Sequence, residues 1–229
     1  MGDIIDWLRK CGPVVYPLLS FSVIALALMI ERWLFWWKVT HRQEAVVREC
    51  LALYPRNPRA ALFKLEQNAD LPIARIFLSA LEVESATPEE FRLALEAATY
   101  AEIPLLKRFT TVFDTIITLA PFLGLLGTVT GIIQILRGLR IGEAVAAGAV
   151  GVEQGISEAL HSTALGLYVA IPTLIISNVF RSLYVRQMSK VQEYGGQLEL
   201  IHRLRLESPV ATAPITESIH SGPRRELHQ

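Results

Sequence analysis

The chain has 229 residues, is 52% hydrophobic and balances 22 Lys and Arg against 22 Asp and Glu. Zero formal net charge, with no dense basic run, gives no electrostatic footprint for nucleic acid. The two cysteines, Cys11 and Cys50, follow neither metal-ligand nor CxxC spacing.

The apolar residues are clustered rather than spread by amphipathic periodicity, and three clusters have the roughly 20-residue length that a bilayer requires. The first, PVVYPLLSFSVIALALMI, runs from Pro13 to Ile30 and is followed by ERWLFWWK, three Trp and a Phe at headgroup level. It opens on Asp3 and Asp6, and Glu31-Arg32-Trp33 stands where a signal peptide would need a small-residue cleavage site, so a retained helix over 13–37 is expected. The second span is placed at 110–136 and the third at 156–180.

Lys and Arg counts orient these spans. Segment 1–12 and connection 137–155 hold two each, whereas Lys38 to Arg108 holds ten and the stretch from Arg181 onward seven. By the positive-inside rule, loop 38–109 and extension 181–207 are cytoplasmic, and the amino terminus and the 137–155 connection lie outside. Cys11 and Cys50 then fall on opposite sides of the membrane, which disfavours a disulfide within the chain.

The cytoplasmic part reads as helical. RQEAVVRECLALY and DLPIARIFLSALEVE carry apolar residues at three- and four-residue spacing, as short amphipathic helices do, with YPRNPR as the loop between. TPEE at Thr87–Glu90 is a capping box with Pro at the first helical position. No Gly follows until Gly124, so one long helix is expected to run from loop into membrane, bent at Pro104 and Pro121. The tail 208–229, rich in Pro, Ser and Thr, reads as disordered.

Within span two, Gly124, Gly127 and Gly131 recur at three- and four-residue intervals, which lets helices approach closely in lipid. Thr128 and Thr130 each have a carbonyl of the preceding turn available. In span three, GISEALHSTALGLYVAIPTLIISN places Glu158, His161 and Ser162 on one helix face. An ionised acid at the centre of a membrane helix costs on the order of 2.5–3.5 kcal/mol, and less near the interface. Glu158 is therefore expected to face protein or a water-filled cavity, unless the membrane begins near Leu160 and leaves it in interfacial water. Thr163, Thr173, Ser177 and Asn178 continue a polar thread.

LAPFLGLLGTVTGI in span two and GISEALHSTALGLYVAIPTLIISNVF in span three resemble the ExbB/TolQ/MotA family of ion-channel subunits. The resemblance covers most of residues 13–200, and the size, three spans and large first cytoplasmic loop are similar to its ExbB and TolQ branches. It implies an all-α inner-membrane protein of bacteria with long helices extending into the cytoplasm, assembled as a homopentamer with a central pore. A single-span partner, ExbD-like or TolR-like, passes through that pore with an Asp as proton carrier, and a TonB-like or TolA-like protein delivers the work. No cofactor or metal is implied. The family's polar pore positions fall on Thr128, Glu158 and Thr163, with Thr130, His161 and Ser162 as modulators; His161 is a departure, since an apolar residue is usual there. The leading expectation is a proton-channel subunit of the TonB–ExbB–ExbD type that energises TonB-dependent import across the outer membrane; two alternatives stand beside it: the TolQ role in envelope maintenance, and a non-conducting membrane scaffold in which Glu158 makes a structural pair. A sodium-driven variant is a smaller one. An enzyme is disfavoured, because no P-loop, Rossmann Gly loop, HExxH or GxSxG is present.

Overall fold

The computed structural model describes residues 14–83, 86–139 and 145–207, all of it helical or turn. Segment 1–12 with Pro13, residues 84–85, residues 140–144 of the 137–155 connection and tail 208–229 lie outside the described residues. Among the described residues six helices follow in order: α1 (Val15–Leu53), α2 (Pro58–Glu66), α3 (Pro72–Leu81), α4 (Pro88–Leu106), α5 (Thr110–Leu139) and α6 (Val145–Glu207).

Helix α1 contains no Gly after its start and joins the first apolar run to RQEAVVRECLALY without interruption. The expected separate amphipathic helix is thus the far end of α1. At about 1.5 Å per residue its 39 residues span about 58 Å, well beyond the roughly 30 Å hydrocarbon core of a bilayer. The 63 residues of α6 span about 95 Å by the same measure. Both helices must therefore project out of any membrane they cross.

The expected loop YPRNPR is shorter than its composition implied. Asn57 accepts a hydrogen bond from the Ala60 amide at 3.1 Å and Pro58 occupies the first helical position, so α2 begins inside it. Pro72 starts α3 in the same way. At α4 the capping box forms in full: the Glu90 amide donates to Thr87 Oγ1 at 3.3 Å, and the Thr87 amide donates to Glu90 Oε2 at 2.8 Å.

The single helix expected to continue from α4 into the membrane is broken at Lys107–Phe109, three residues after Pro104. Phe109 adopts φ 67°, a left-handed backbone that bulky residues rarely occupy. The break redirects the chain before α5, while Pro104 and Pro121 remain inside helices.

Three apolar cores lie along the molecule. In the first, Leu18, Ala25, Ile116, Ala120 and Leu165 pack α1, α5 and α6 together. Trp36, Val39, Leu106, Phe113 and Phe180 gather around the break. The third resembles the core of a water-soluble domain: Val47, Cys50, Leu65, Phe77, Phe91 and Leu198 bring all the short helices against the far ends of α1 and α6. Buried polar groups set its register. Gln187 Nε2 donates to Gln43 Oε1 at 2.7 Å between α6 and α1. His202 stacks on Phe91 with ring centroids 4.3 Å apart and places Nε2 3.1 Å from the Ala86 carbonyl. That contact requires Nε2–H as donor, leaving Nδ1 to accept from Tyr54 Oη at 2.7 Å.

Among the described residues, three helical stretches are long and apolar enough to cross a membrane: Val15–Leu53, Pro88–Leu136 and Gly155–Glu207. Their outer faces leave Val23, Leu26, Ile30, Leu125, Val129 and Ile171 exposed. Contiguous apolar surface on this scale is not tolerated in water and calls for lipid or protein against it.

Candidate functional site: the α5–α6 seam

Small residues determine how close α5 and α6 come. A Cβ on Gly124 would lie 2.9 Å from the Ser162 carbonyl oxygen and 3.0 Å from Thr163 Cα. One on Gly127 would overlap the Ser162 side chain, and one on Gly131 would sit 3.2 Å from both Ala159 Cβ and the Gly155 carbonyl oxygen. The opposing helix answers with its own small residues: a Cβ on Gly166 would be 2.5 Å from the Ala120 carbonyl oxygen, and one on Gly155 would overlap Ile135. Gly155, Ala159, Ser162 and Gly166 thus form the complementary stripe. Its four-three-four spacing is written in GISEALHSTALG, where the polar residues drew notice first.

Close approach brings hydroxyls of α6 onto the backbone of α5. Ser162, fully buried, shares its one O–H between Ala159 O of its own helix at 2.8 Å and the Gly124 carbonyl at 3.3 Å. Thr163 donates to the same Gly124 carbonyl at 3.2 Å. A carbonyl has two lone pairs, so one oxygen serves both donors. With a side chain at 124 the helices would stand too far apart for either bond.

The other hydroxyls bond within their own helices. Thr128 Oγ1 donates to Leu125 O at 2.7 Å, and Thr130 Oγ1 lies 2.9 Å from Gly127 O and 3.0 Å from Leu126 O. Thr173, buried, donates to Val169 O at 2.7 Å. His161 Nδ1 stands 2.6 Å from the Ser157 carbonyl and 3.4 Å from its hydroxyl. Back-bonding of this kind satisfies a hydroxyl in an apolar setting while leaving its lone pairs available to a passing donor.

The structure therefore brings Gly124, Gly127, Gly131, Ser162 and Thr163 together in one contact. Thr128 and Thr130 lie on the same helix turns, half-buried. Glu158 belongs to α6 one residue before Ala159, and its side chain lies outside the described residues. Among the described residues there is no group of three or more His, Cys, Asp or Glu that could hold a metal ion.

Residues 68–193 match the MotA/TolQ/ExbB proton channel family. Over 198 residues the chain is 57% identical to a Synechocystis sp. protein provisionally named biopolymer transport protein ExbB-like 3, covering 86% of this chain and 94% of that one. The biopolymer transport protein ExbB of Pseudomonas putida is 40% identical over 92 residues, 40% of this chain and 27% of that one. The Tol-Pal system protein TolQ of Pseudomonas aeruginosa is 30% identical over 119 residues, 52% of this chain and 51% of that one. The family consists of membrane proton-channel subunits rather than enzymes, and its matched region contains the whole α5–α6 seam. The chain belongs to the MotA/TolQ/ExbB proton channel family.

Proposed function

We propose that the chain is the channel-forming subunit of an inner-membrane motor of the TonB–ExbB–ExbD type, coupling proton flow through an ExbD-like single-span partner to import across the outer membrane. The observation that carries this reading is the α5–α6 seam: a strip of hydroxyls and small residues that holds the two helices at glycine distance, on helices whose outer faces are apolar and uncovered. A monomer leaves that surface without a partner, and five copies around a central pore would cover it. In that assembly the amino terminus is periplasmic, the compact core around Phe77 and Phe91 is cytoplasmic, and α5 and α6 face the pore.

Thr128 and Thr163 then form rings of hydroxyls along the proton pathway, each able to accept from and donate to water or the partner's acid. Glu158 acts as an electrostatic organiser of that pathway, since a carboxylate in a low-dielectric wall favours a nearby cation or donor. His161, Ser162 and Thr130 modulate it. The 57% identity to an ExbB-like protein favours import over the Tol-Pal role, for which the likeness to TolQ is weaker.

One observation favours a scaffold that holds its partner without conducting: the Thr163 hydroxyl is engaged by Gly124 O. Proton flux separates the two readings. The full chain is reconstituted in liposomes alone and with its ExbD-like partner, as wild type and as Thr128→Ala, Glu158→Ala and Thr163→Ala. Flux that requires the partner and is lost in the variants, with assembly intact, is the expected result. Absence of flux from a verified complex would leave the scaffold.

A further inference from the structure

A cavity of about 260 Å³ opens where α1, the α4–α5 break and α6 meet, and four cations line it: Arg32, Lys107, Arg108 and Arg181. Trp36, Phe113 and Phe180 supply the apolar wall, and Thr110 and Ser177 add hydroxyls. Among the described residues no carboxylate lines it. Two of these cations are only loosely engaged by acids: Arg181 stands 3.6 Å from Asp114, and Arg108 stands 4.0 Å from Glu31. Lys107 lies over the Tyr184 ring at 4.9 Å.

Arg32 is the most telling of the four. Its side chain is 2% exposed. One terminal nitrogen donates to Leu105 O at 3.2 Å, and the guanidinium lies 4.9 Å from the Phe35 ring and 5.2 Å from that of Phe109. Nε is 3.1 Å from a Glu31 oxygen, yet its N–H does not point there, so the ion pair forms without a hydrogen bond and the buried nitrogen has no acceptor. A buried donor in that condition leaves a position for a further acceptor. The chain also carries a strained residue here: Phe109 at φ 67° turns the backbone so that Lys107 and Arg108 both reach the cavity, and Arg108 stacks on its ring at 4.5 Å. Backbone strain of this kind persists at sites where the surroundings enforce it.

We propose that this cavity binds the phosphate headgroup of an anionic phospholipid. The site lies beside the Trp33, Trp36 and Trp37 belt, at the level where spanning helices meet headgroups and where basic pockets between helices select anionic lipid. A lipid is favoured over a soluble phosphate because the wall is aromatic and because Leu174, exposed one helical turn before Ser177 on α6, offers apolar surface for an acyl chain. The proposal requires the bilayer boundary near these residues but neither a particular orientation nor proton conduction. Bound there, the headgroup would clamp α1 to the α4–α5 joint and α6.

The test uses the purified full chain in neutral detergent, mixed with dioleoyl phosphatidylglycerol or dioleoyl phosphatidylcholine and read by native mass spectrometry for retained lipid. Arg108 and Arg181 are exposed and are replaced together, as Arg108→Gln with Arg181→Gln and as Arg108→Lys with Arg181→Lys. Wild type is expected to retain phosphatidylglycerol in preference to phosphatidylcholine. The Gln pair should lose about fivefold in retention for each cation removed, the Lys pair should keep most of it, and Arg56→Gln, outside the cavity, should change nothing. Equal retention of the two lipids, no retention, an unaffected Gln pair, or an equal loss in Arg56→Gln would overturn the proposal. Displacement of the lipid by sodium glycerol 3-phosphate at equal concentration would assign the site to a soluble anion and overturn it too.

Discussion

Replacing Gly124 by Ala tests the geometry of the seam. The new methyl would sit 2.9 Å from the Ser162 carbonyl oxygen and 3.0 Å from Thr163 Cα, where ordinary contact begins at 3.4 Å, so α5 and α6 must part by about 0.5 Å. Both atoms are backbone and have no rotamer to retreat into. Parting stretches the Ser162 and Thr163 bonds to Gly124 O from 3.3 and 3.2 Å beyond the hydrogen-bond range, at about 0.6 kcal/mol each in a membrane interior. Overpacking adds about 1–3 kcal/mol, and the better helix propensity of Ala returns about 1 kcal/mol. The net expectation is a destabilisation of about 1–3 kcal/mol, or roughly 2–4 °C in Tm for each kcal/mol in a chain of this size. Gly196→Ala supplies the control, because nothing lies within 4 Å of a Cβ there. It should stabilise α6 by about 0.5–1 kcal/mol. Thermal unfolding of the full chain in mild detergent, followed by circular dichroism, reads both. A Gly124→Ala protein as stable as wild type, or two variants shifting in the same direction, would refute a seam held at contact distance.

Three further outcomes follow from the part of the chain beyond the spans. Burial pushes the Cys50 thiol up to about 12, so at pH 8 a soluble alkylating reagent should label it only as the protein unfolds; rapid labelling of the native chain would contradict its place in the core. The hydrogen bond from Lys38, aided by the charges of Arg42 and Lys38, outweighs the opposing effect of burial and holds the Asp70 carboxyl below its ordinary value. A depressed carboxyl contributes stability above the unfolded value of about 3.9 and loses it as pH falls through the folded one, so acid unfolding of Asp70→Asn should lack that share of the pH dependence. Parallel acid titrations of the two proteins check the sign. Thr87→Ala removes the side-chain half of a complete capping box and should cost about 1 kcal/mol, measured by thermal unfolding, with Thr87→Ser close to wild type.

Much of this protein follows from sequence alone, wherever the physics is local. Long apolar runs have few alternatives to spanning helices, because a backbone in lipid must satisfy its own hydrogen bonds. The capping box at Thr87 is likewise a four-residue matter, and it formed as its spelling implied. The same signals announce α2, where Asn57 and Pro58 stand inside the YPRNPR stretch. Tertiary structure decided what depends on distant partners. No local signal places a break at Lys107–Phe109, since Pro104 offered a stronger one; the left-handed Phe109 is held by Arg32, 77 residues earlier in the chain. The glycines of α5 gain their meaning only against Gly155, Ala159, Ser162 and Gly166, because close approach is a property of two surfaces. Arg32 reads in sequence as an ordinary interfacial cation. Only the packing of α1 against the α4–α5 joint buries it, leaves its Nε without a hydrogen bond and sets the residue in the wall of a cavity lined by three more cations.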